Sequence, residues 1–317
     1  MDKNRKIILS ILTLVALSSI LAIIDIGLNM DKTKQELFTI STPETGPGVG
    51  IIRIYGPIRL ANDRGHLLGM DSGADSIVKR LDDFGKDNNI KAIVVRINSP
   101  GGTVGATQEI YQKLIKLKQK NIILIASIGD VAASGGYYIA SACNHILANY
   151  GSITGSIGVI AVSPNLKELF HKIGIKMNVI KSGKYKDLLS LYRDISEEEK
   201  DIIQRMIDSS YNRFLKDVSL GRNMPISDIK PFADGRVMDG ERAVKHNLVD
   251  SIGNLEDAIN KAREMAKLPQ DSAVYDEVRT PLERIIMSIE KKFTRDINLQ
   301  DRIINNEYSL LEYRYVP

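Results

Sequence analysis

Two β-branched runs flank a segment of helical periodicity, and this alternation limits the chain to few architectures. Ala92–Ile97 (Ala-Ile-Val-Val-Arg-Ile) and Ile122–Ile128 (Ile-Ile-Leu-Ile-Ala-Ser-Ile) suit strands buried on both faces. Between them, Thr103–Lys120 places Ile110, Leu114 and Leu117 on one helical stripe. The pattern extends both ways. Upstream, Val49–Tyr55 reads as a short strand, and Ala74–Phe84 sets Ile77, Leu81 and Phe84 on one helix face. Downstream come a short helix rich in small residues (Ser134–Cys143), strands at His145–Ala148 and Ile157–Val162, a helix at Asn165–Ile173 and a strand at Met177–Ile180. Strands alternating with helices predict an α/β fold with substantial parallel pairing. From Ser196 the chain turns helical. Ser196-Glu197-Glu198-Glu199 reads as a capping box, and two further helices are expected at Asp239–His246 and Leu255–Lys267. Residues 269–317 are less patterned: a helix is expected at Leu282–Phe293, and the end, from Tyr308, is unusually apolar for a tail.

The N-terminus says where such a domain works. Lys3, Arg5 and Lys6 precede an uncharged run from Ile7 to Ile24, closed by Asp25. Eighteen helical residues span about 27 Å, close to the hydrocarbon thickness of a bilayer. The basic end favours the cytoplasm, so the rest of the chain is expected outside it. A cleaved signal peptide, cut near Ala16-Leu17-Ser18, is the rival; it would leave Ile20–Ile24 as an exposed apolar stub. The expected plan is a membrane anchor (1–30, helix about 7–24), a polar linker (31–48), an enzyme domain (49–267) and a C-terminal extension (268–317). The net charge of +4 includes +2 from Asp2, Lys3, Arg5 and Lys6, which argues against a nucleic-acid surface. Cys143 is the single cysteine, so no internal disulfide forms.

Four strings carry chemistry. Ser134 lies in Ala132-Ala133-Ser134-Gly135-Gly136, similar to a nucleophile elbow with alanine for the first glycine. Gly101-Gly102 follows a buried strand and precedes a helix, a turn that presents amide N–H groups able to hold an oxyanion. It is neither G-x-x-x-x-G-K-[ST] nor G-x-G-x-x-G, so a phosphate loop is not indicated. A serine nucleophile needs a base, and none of His66, His145, His171 and His246 lies in a string that suggests one. A lysine with a lowered pKa can serve. Lys184 and Lys186, in Ser182-Gly183-Lys184-Tyr185-Lys186-Asp187, are both candidates, and spacing does not separate them. Ser156, in Gly151-Ser152-Ile153-Thr154-Gly155-Ser156-Ile157-Gly158, could orient such a lysine. No metal-ligand motif and no cofactor motif is visible.

Taken together, Ile97-Asn98-Ser99-Pro100-Gly101-Gly102, Ala133-Ser134-Gly135-Gly136-Tyr137-Tyr138, the Gly151–Val159 string, Ser182–Asp187 and Ala233-Asp234-Gly235-Arg236-Val237 resemble the bacterial signal peptide peptidase A family in its short, single-repeat form. The resemblance covers roughly residues 49–267. It implies a ClpP/crotonase-type fold of repeated ββα units, with Ser134 as nucleophile and Lys186, rather than Lys184, as general base. It further implies Ser156 as the residue that orients the lysine, and Gly101 and Gly135 as oxyanion-hole amides. It implies a ring- or dome-shaped homo-oligomer in which Ser134 and Lys186 come from different subunits, and apolar signal-peptide-like substrates left in the membrane. Alternatives are an acyl-CoA enzyme of the crotonase type, or a non-catalytic membrane scaffold of the same fold.

Overall fold

The computed structural model describes residues 46–60, 73–276 and 312–315, all within the unit that begins at Gly46. The anchor expected over residues 7–24 and the helix expected at 282–293 lie outside the described residues. No described helix is long and apolar enough to cross a membrane.

The described strands are β1 (Gly48–Tyr55), β2 (Ile90–Ser99), β3 (Gly101–Thr103), β4 (Ile123–Ala133), β5 (His145–Ala148), β6 (Ile153–Gly155), β7 (Val237–Asp239), β8 (Ser251–Ile252), β9 (Ala273–Asp276) and β10 (Glu312–Arg314). The helices are α1 (Ala74–Phe84), α2 (Val104–Gln119), α3 (Gly135–Ala140), α4 (Lys167–Lys172), α5 (Glu197–Arg222), α6 (Ile226–Ile229), α7 (Gly240–Lys245) and α8 (Leu255–Met265). The main sheet runs β7-β6-β4-β2-β1-β9, with β5 and β8 attached beside β4. Its pairings are parallel except that of β6 with β7.

Continuous apolar runs form these strands because helices cover both faces. Ile52, Ile54, Ile93, Val95, Ile97 and Leu124 pack with Leu81 of α1 and Ile110, Leu114 and Leu117 of α2. The alternate residues, Val49, Ile51, Ala92, Val94 and Ile125, pack on Ala258 and Ala262 of α8. Each such aliphatic side chain contributes about 1.5–3 kcal/mol by leaving water. Two capping boxes fix helix starts: Ser196 with Glu199 on α5, and Asn254 with Asp257 on α8.

Two expected strands are absent. Residues 157–162 are irregular apart from a bridge between Ile160 and Glu312, and the strand here is β6, four residues earlier. Met177–Ile180 forms no strand: it finds no neighbouring edge, and Met177, Val179 and Ile180 are exposed, Ile180 fully so. Its apolar character therefore does not reflect burial in this chain's own sheet.

Candidate active site

Strand β4 delivers the central serine. Its first half pairs with β5 and its second half with β6, so Val131–Ala133 continue past the end of β5. The chain then turns sharply: Ser134 has φ +53° and ψ −113°, a strained conformation for a residue with a Cβ, and α3 starts at Gly135. Such a strand-to-helix turn holds a serine hydroxyl at the end of a sheet. Two backbone hydrogen bonds hold it in place: Ser134 N–H donates to Gly155 O (2.8 Å), and Tyr138 N–H donates to Ser134 O (2.8 Å). Ser134 is 1% exposed.

Ala133 pairs with Gly155, so Ser156 is the next residue on the parallel strand beside Ser134. It too has positive φ, +51°, and its N–H donates to Arg236 O (2.8 Å). Ser134 and Ser156 line one cavity of about 520 Å³, together with Gly158, Tyr211, Arg314 and Tyr315.

Gly101 reaches the same place from β2. Asn98 manages the irregular register there: its Oδ1 accepts from the N–H of Asp130 (3.1 Å) and Val131 (3.0 Å), tying the end of β2 to β4. Ser99 Oγ accepts from Gly101 N–H (3.1 Å) and bends the chain into β3. Gly101 has φ +98°, and a Cβ there would lie 2.7 Å from the Gly135 nitrogen. The two glycines are therefore in contact, and no larger residue fits at position 101. The Thr107 hydroxyl, buried and without a hydrogen-bond partner, faces Gly135; a Cβ on Gly135 would meet it at 2.8 Å. Nothing in the sequence strings pointed to Thr107.

A peptide segment already lies on these glycines. β10 pairs antiparallel with β3, with Tyr313 opposite Gly102, and on its other side Glu312 bridges Ile160. The Tyr313 carbonyl oxygen would be 1.9 Å from a Cβ on Gly101 and 3.0 Å from one on Gly135, so it sits in the notch where the two glycines meet. The Tyr313 side chain is fully buried. It stacks on Tyr138 (5.2 Å between centroids), packs on Phe214 (4.8 Å) and donates from its hydroxyl to Ser210 O (2.9 Å).

Lys186 lies elsewhere. It lines a separate cavity of about 600 Å³ with Val162, Phe170, Met177 and Tyr192, and makes no hydrogen bond to Ser134 or Ser156. The three lysines of its loop differ. Lys181 is bound by Asp187 (2.5 Å), and Lys184 is paired with Glu198 and lies over the Tyr185 ring. The Lys186 ammonium has no such partner among the described residues and is exposed within one chain. Within a single chain, then, Ser134, Ser156, Gly101 and Gly135 converge while Lys186 stands apart.

Neither the cysteine nor any described histidine lines the Ser134 cavity, whose carboxylates are Asp208 and Asp234. Cys143 is buried, and burial pushes its thiol up to about 12. His145 bonds Ser251, His246 stacks on Phe232, and His171 is exposed; none lines the Ser134 cavity. His66 lies outside the described residues. No described cluster of His, Cys, Asp and Glu is arranged to hold a metal.

Comparison with known proteins decides the class. Residues 116–269 match peptidase family S49, and residues 67–147 match the Clp protease family. A Synechocystis sp. protein named as a protease is 47% identical over 196 residues, 62% of this chain and 70% of the relative. This chain belongs to peptidase family S49. An Enterococcus faecium protein named signal peptide peptidase SppA is 37% identical over 199 residues, 63% of this chain and 58% of that protein. The chloroplastic serine protease SPPA of Arabidopsis thaliana is 34% identical over 228 residues, 72% of this chain but 32% of the relative. The S49 chain is thus a serine-type peptidase of the signal peptide peptidase A type, with a ClpP-like α/β domain. These relatives displace the acyl-CoA and scaffold alternatives.

Proposed function

We propose that this S49 chain is a membrane-anchored endopeptidase that degrades remnant signal peptides and similar apolar segments with a Ser134/Lys186 dyad shared between subunits. The observation that carries this reading is the Tyr313 carbonyl in the Gly101/Gly135 notch: an extended peptide fits there by pairing with β3, and its carbonyl packs where a side chain on either glycine would stand. Strand addition of this kind draws affinity from the main chain and selectivity from alternate side chains, which suits a varied apolar substrate.

In the proposed reaction neutral Lys186 takes the proton of Ser134 Oγ as that oxygen attacks the scissile carbonyl. The tetrahedral oxyanion would be held by the Gly135 amide and by the Gly101 amide, whose N–H would exchange its bond to Ser99 Oγ for the oxyanion. Lys186 then returns the proton to the leaving amine as the C–N bond breaks. Water, deprotonated by the same lysine, releases the acyl group and restores Ser134. Ser156, adjacent to Ser134 on the neighbouring strand, would accept a hydrogen bond from Lys186 and orient it. A lysine acts as a base only in its neutral form, which burial favours. A second copy of the chain, bringing its own Lys186 loop over the Ser134 cavity, would supply that burial. The exposed apolar residues Met177, Val179 and Ile180 beside the loop suit such a contact, and the resulting assembly is a ring or dome. The uncharged run at residues 7–24 supports anchoring, with the peptidase domain outside the cytoplasm.

Cleavage of a leucine-rich signal peptide in detergent micelles tests the assignment. Ser134→Ala and Lys186→Ala should each lose at least 10³-fold in kcat with unchanged folding, in line with losses on removing a nucleophile or base. Retained activity in Lys186→Ala would move the base elsewhere.

A further inference from the structure

The loop that carries Lys186 is irregular, yet it is held on one side by an ion network that the proposed chemistry does not use. Arg193 lies at its centre. Its guanidinium donates to both Asp187 carboxylate oxygens, Nε to Oδ2 (2.9 Å) and Nη2 to Oδ1 (2.8 Å), and Nη2 also reaches the Asp187 carbonyl (3.0 Å). Nη1 and Nη2 reach the two oxygens of Glu199 (2.9 and 2.6 Å). Glu199 in turn is fixed by the capping box of α5, where its Oε2 accepts from Ser196 N–H (2.9 Å) and Oγ–H (3.1 Å). A rigid helix start is thereby linked through one arginine to the residue next to Lys186. Paired forks of this kind fix both distance and orientation, which a lysine in the same place does not.

The network also decides what Asp187 does. Its carboxylate is 9% exposed and receives Arg193, Lys181 (2.5 Å) and the Tyr192 hydroxyl (3.3 Å). The other charged groups nearby are Glu199, taken by Arg193, and Glu198, taken by Lys184. The carboxylate nearest to Lys186 in sequence is therefore fully engaged, and among the described residues the Lys186 ammonium has no anionic partner.

We infer that Arg193 is a positioning residue for the general base: it anchors the Lys186 loop to the capped start of α5 and keeps the Asp187 carboxylate from pairing with Lys186. The inference rests on the Ser134/Lys186 reading. Hydrogen bonds to Arg193 and Lys181 hold the Asp187 carboxyl far below the usual carboxylate range, consistent with an anion committed to these partners. Without Arg193, Asp187 keeps Lys181 and Tyr192 but loses its bidentate partner, and the carboxylate oxygen so released would favour protonated Lys186 and raise the pH at which the base becomes available.

The test compares Arg193→Gln, Arg193→Lys, Arg193→Gln with Asp187→Asn, and Lys186→Ala in the full chain, by kcat, KM, pH–rate profile and thermal melting. The expected result for Arg193→Gln is a fall of at least tenfold in kcat, KM within about twofold of wild type, and an activity midpoint moved up by about one pH unit. Adding Asp187→Asn should return the midpoint toward wild type, and Arg193→Lys should retain part of the rate. An Arg193→Gln enzyme that melts normally and keeps the wild-type kcat and midpoint would overturn the inference. So would a loss of rate with an unmoved midpoint that Asp187→Asn leaves unchanged, since that marks a structural role alone. If Lys186→Ala remains active, the dyad reading falls and Arg193 has no base to position; an inactive Lys186→Ala beside an unaffected Arg193→Gln overturns the Arg193 inference by itself.

Discussion

At the scale of single residues the site depends on backbone conformations that side chains resist. Ser134 and Ser156 both adopt positive φ at the ends of adjacent parallel strands, and Gly101 adopts φ +98° against Gly135. Their strings drew notice only as an ordered set resembling a family, because a glycine-rich turn after a buried strand is by itself common. Arg193 and Thr107 were not legible. Arg193 finds Asp187 and Glu199 six residues away on either side, a spacing that matches neither a helix nor a strand and leaves no periodic trace. Thr107 occupies one turn of an ordinary amphipathic helix, and only the fold brings it to Gly135. The acid behaviour of the arginine network follows from Glu199. Hydrogen bonds from Arg193, then from Ser196 N–H, lower its carboxyl to about 2. A carboxyl depressed from its unfolded value of about 4.3 adds stability that is complete above that value and is lost as pH falls toward the folded one. Glu199→Gln should therefore melt lower than wild type at neutral pH, and its melting temperature should fall less steeply between about pH 5 and 2. Melting curves taken across that range check this; parallel acid limbs in the two proteins would count against it.

Among the elements, those that bury their apolar residues within one chain were readable. β1, β2, β5, α1 and α2 coincide closely with their expected spans, because continuous β-branched runs and helical stripes report burial directly, whereas β4 runs on from the expected Ile128 to Ala133. Met177–Ile180 was misread for the same reason, while the helix expected at Asn165–Ile173 is present as α4. Met177 and Ile180 have strand-like composition, yet both stay exposed among the described residues, and composition does not say whose surface will cover them. The expected strand at Ile157–Val162 fails differently: Ile160 waits for an extended segment, and β10 supplies one. That makes the tail element an occupant of the groove. It fills the notch with the Tyr313 carbonyl and an aromatic pocket with the Tyr313 ring, so under the proposed function an external peptide would have to displace it. A chain ending before Glu312 should cleave apolar peptides with a lower KM than the full-length enzyme, at unchanged kcat once substrate saturates. Addition of the free peptide Glu312–Pro317 should inhibit that shortened enzyme competitively. Equal KM values and no inhibition would place the tail outside the substrate's path.

For the whole molecule, the separation of Lys186 from Ser134 is the feature that most shapes the account. One chain brings together the serine, its neighbour Ser156 and the two glycines, while the lysine stands on an exposed loop beside uncovered apolar side chains. The ClpP-like domain fits assembly into oligomers, and the proposed division of the dyad makes assembly a condition of catalysis. The most direct test is complementation between two inactive variants. Ser134→Ala and Lys186→Ala chains would be expressed together, purified as mixed oligomers and assayed on an apolar peptide beside each variant alone. The account predicts that the mixture regains activity, because a subunit keeping Ser134 meets a neighbour keeping Lys186. A mixed oligomer as inactive as its parents, beside an active wild type, would contradict a site shared between subunits.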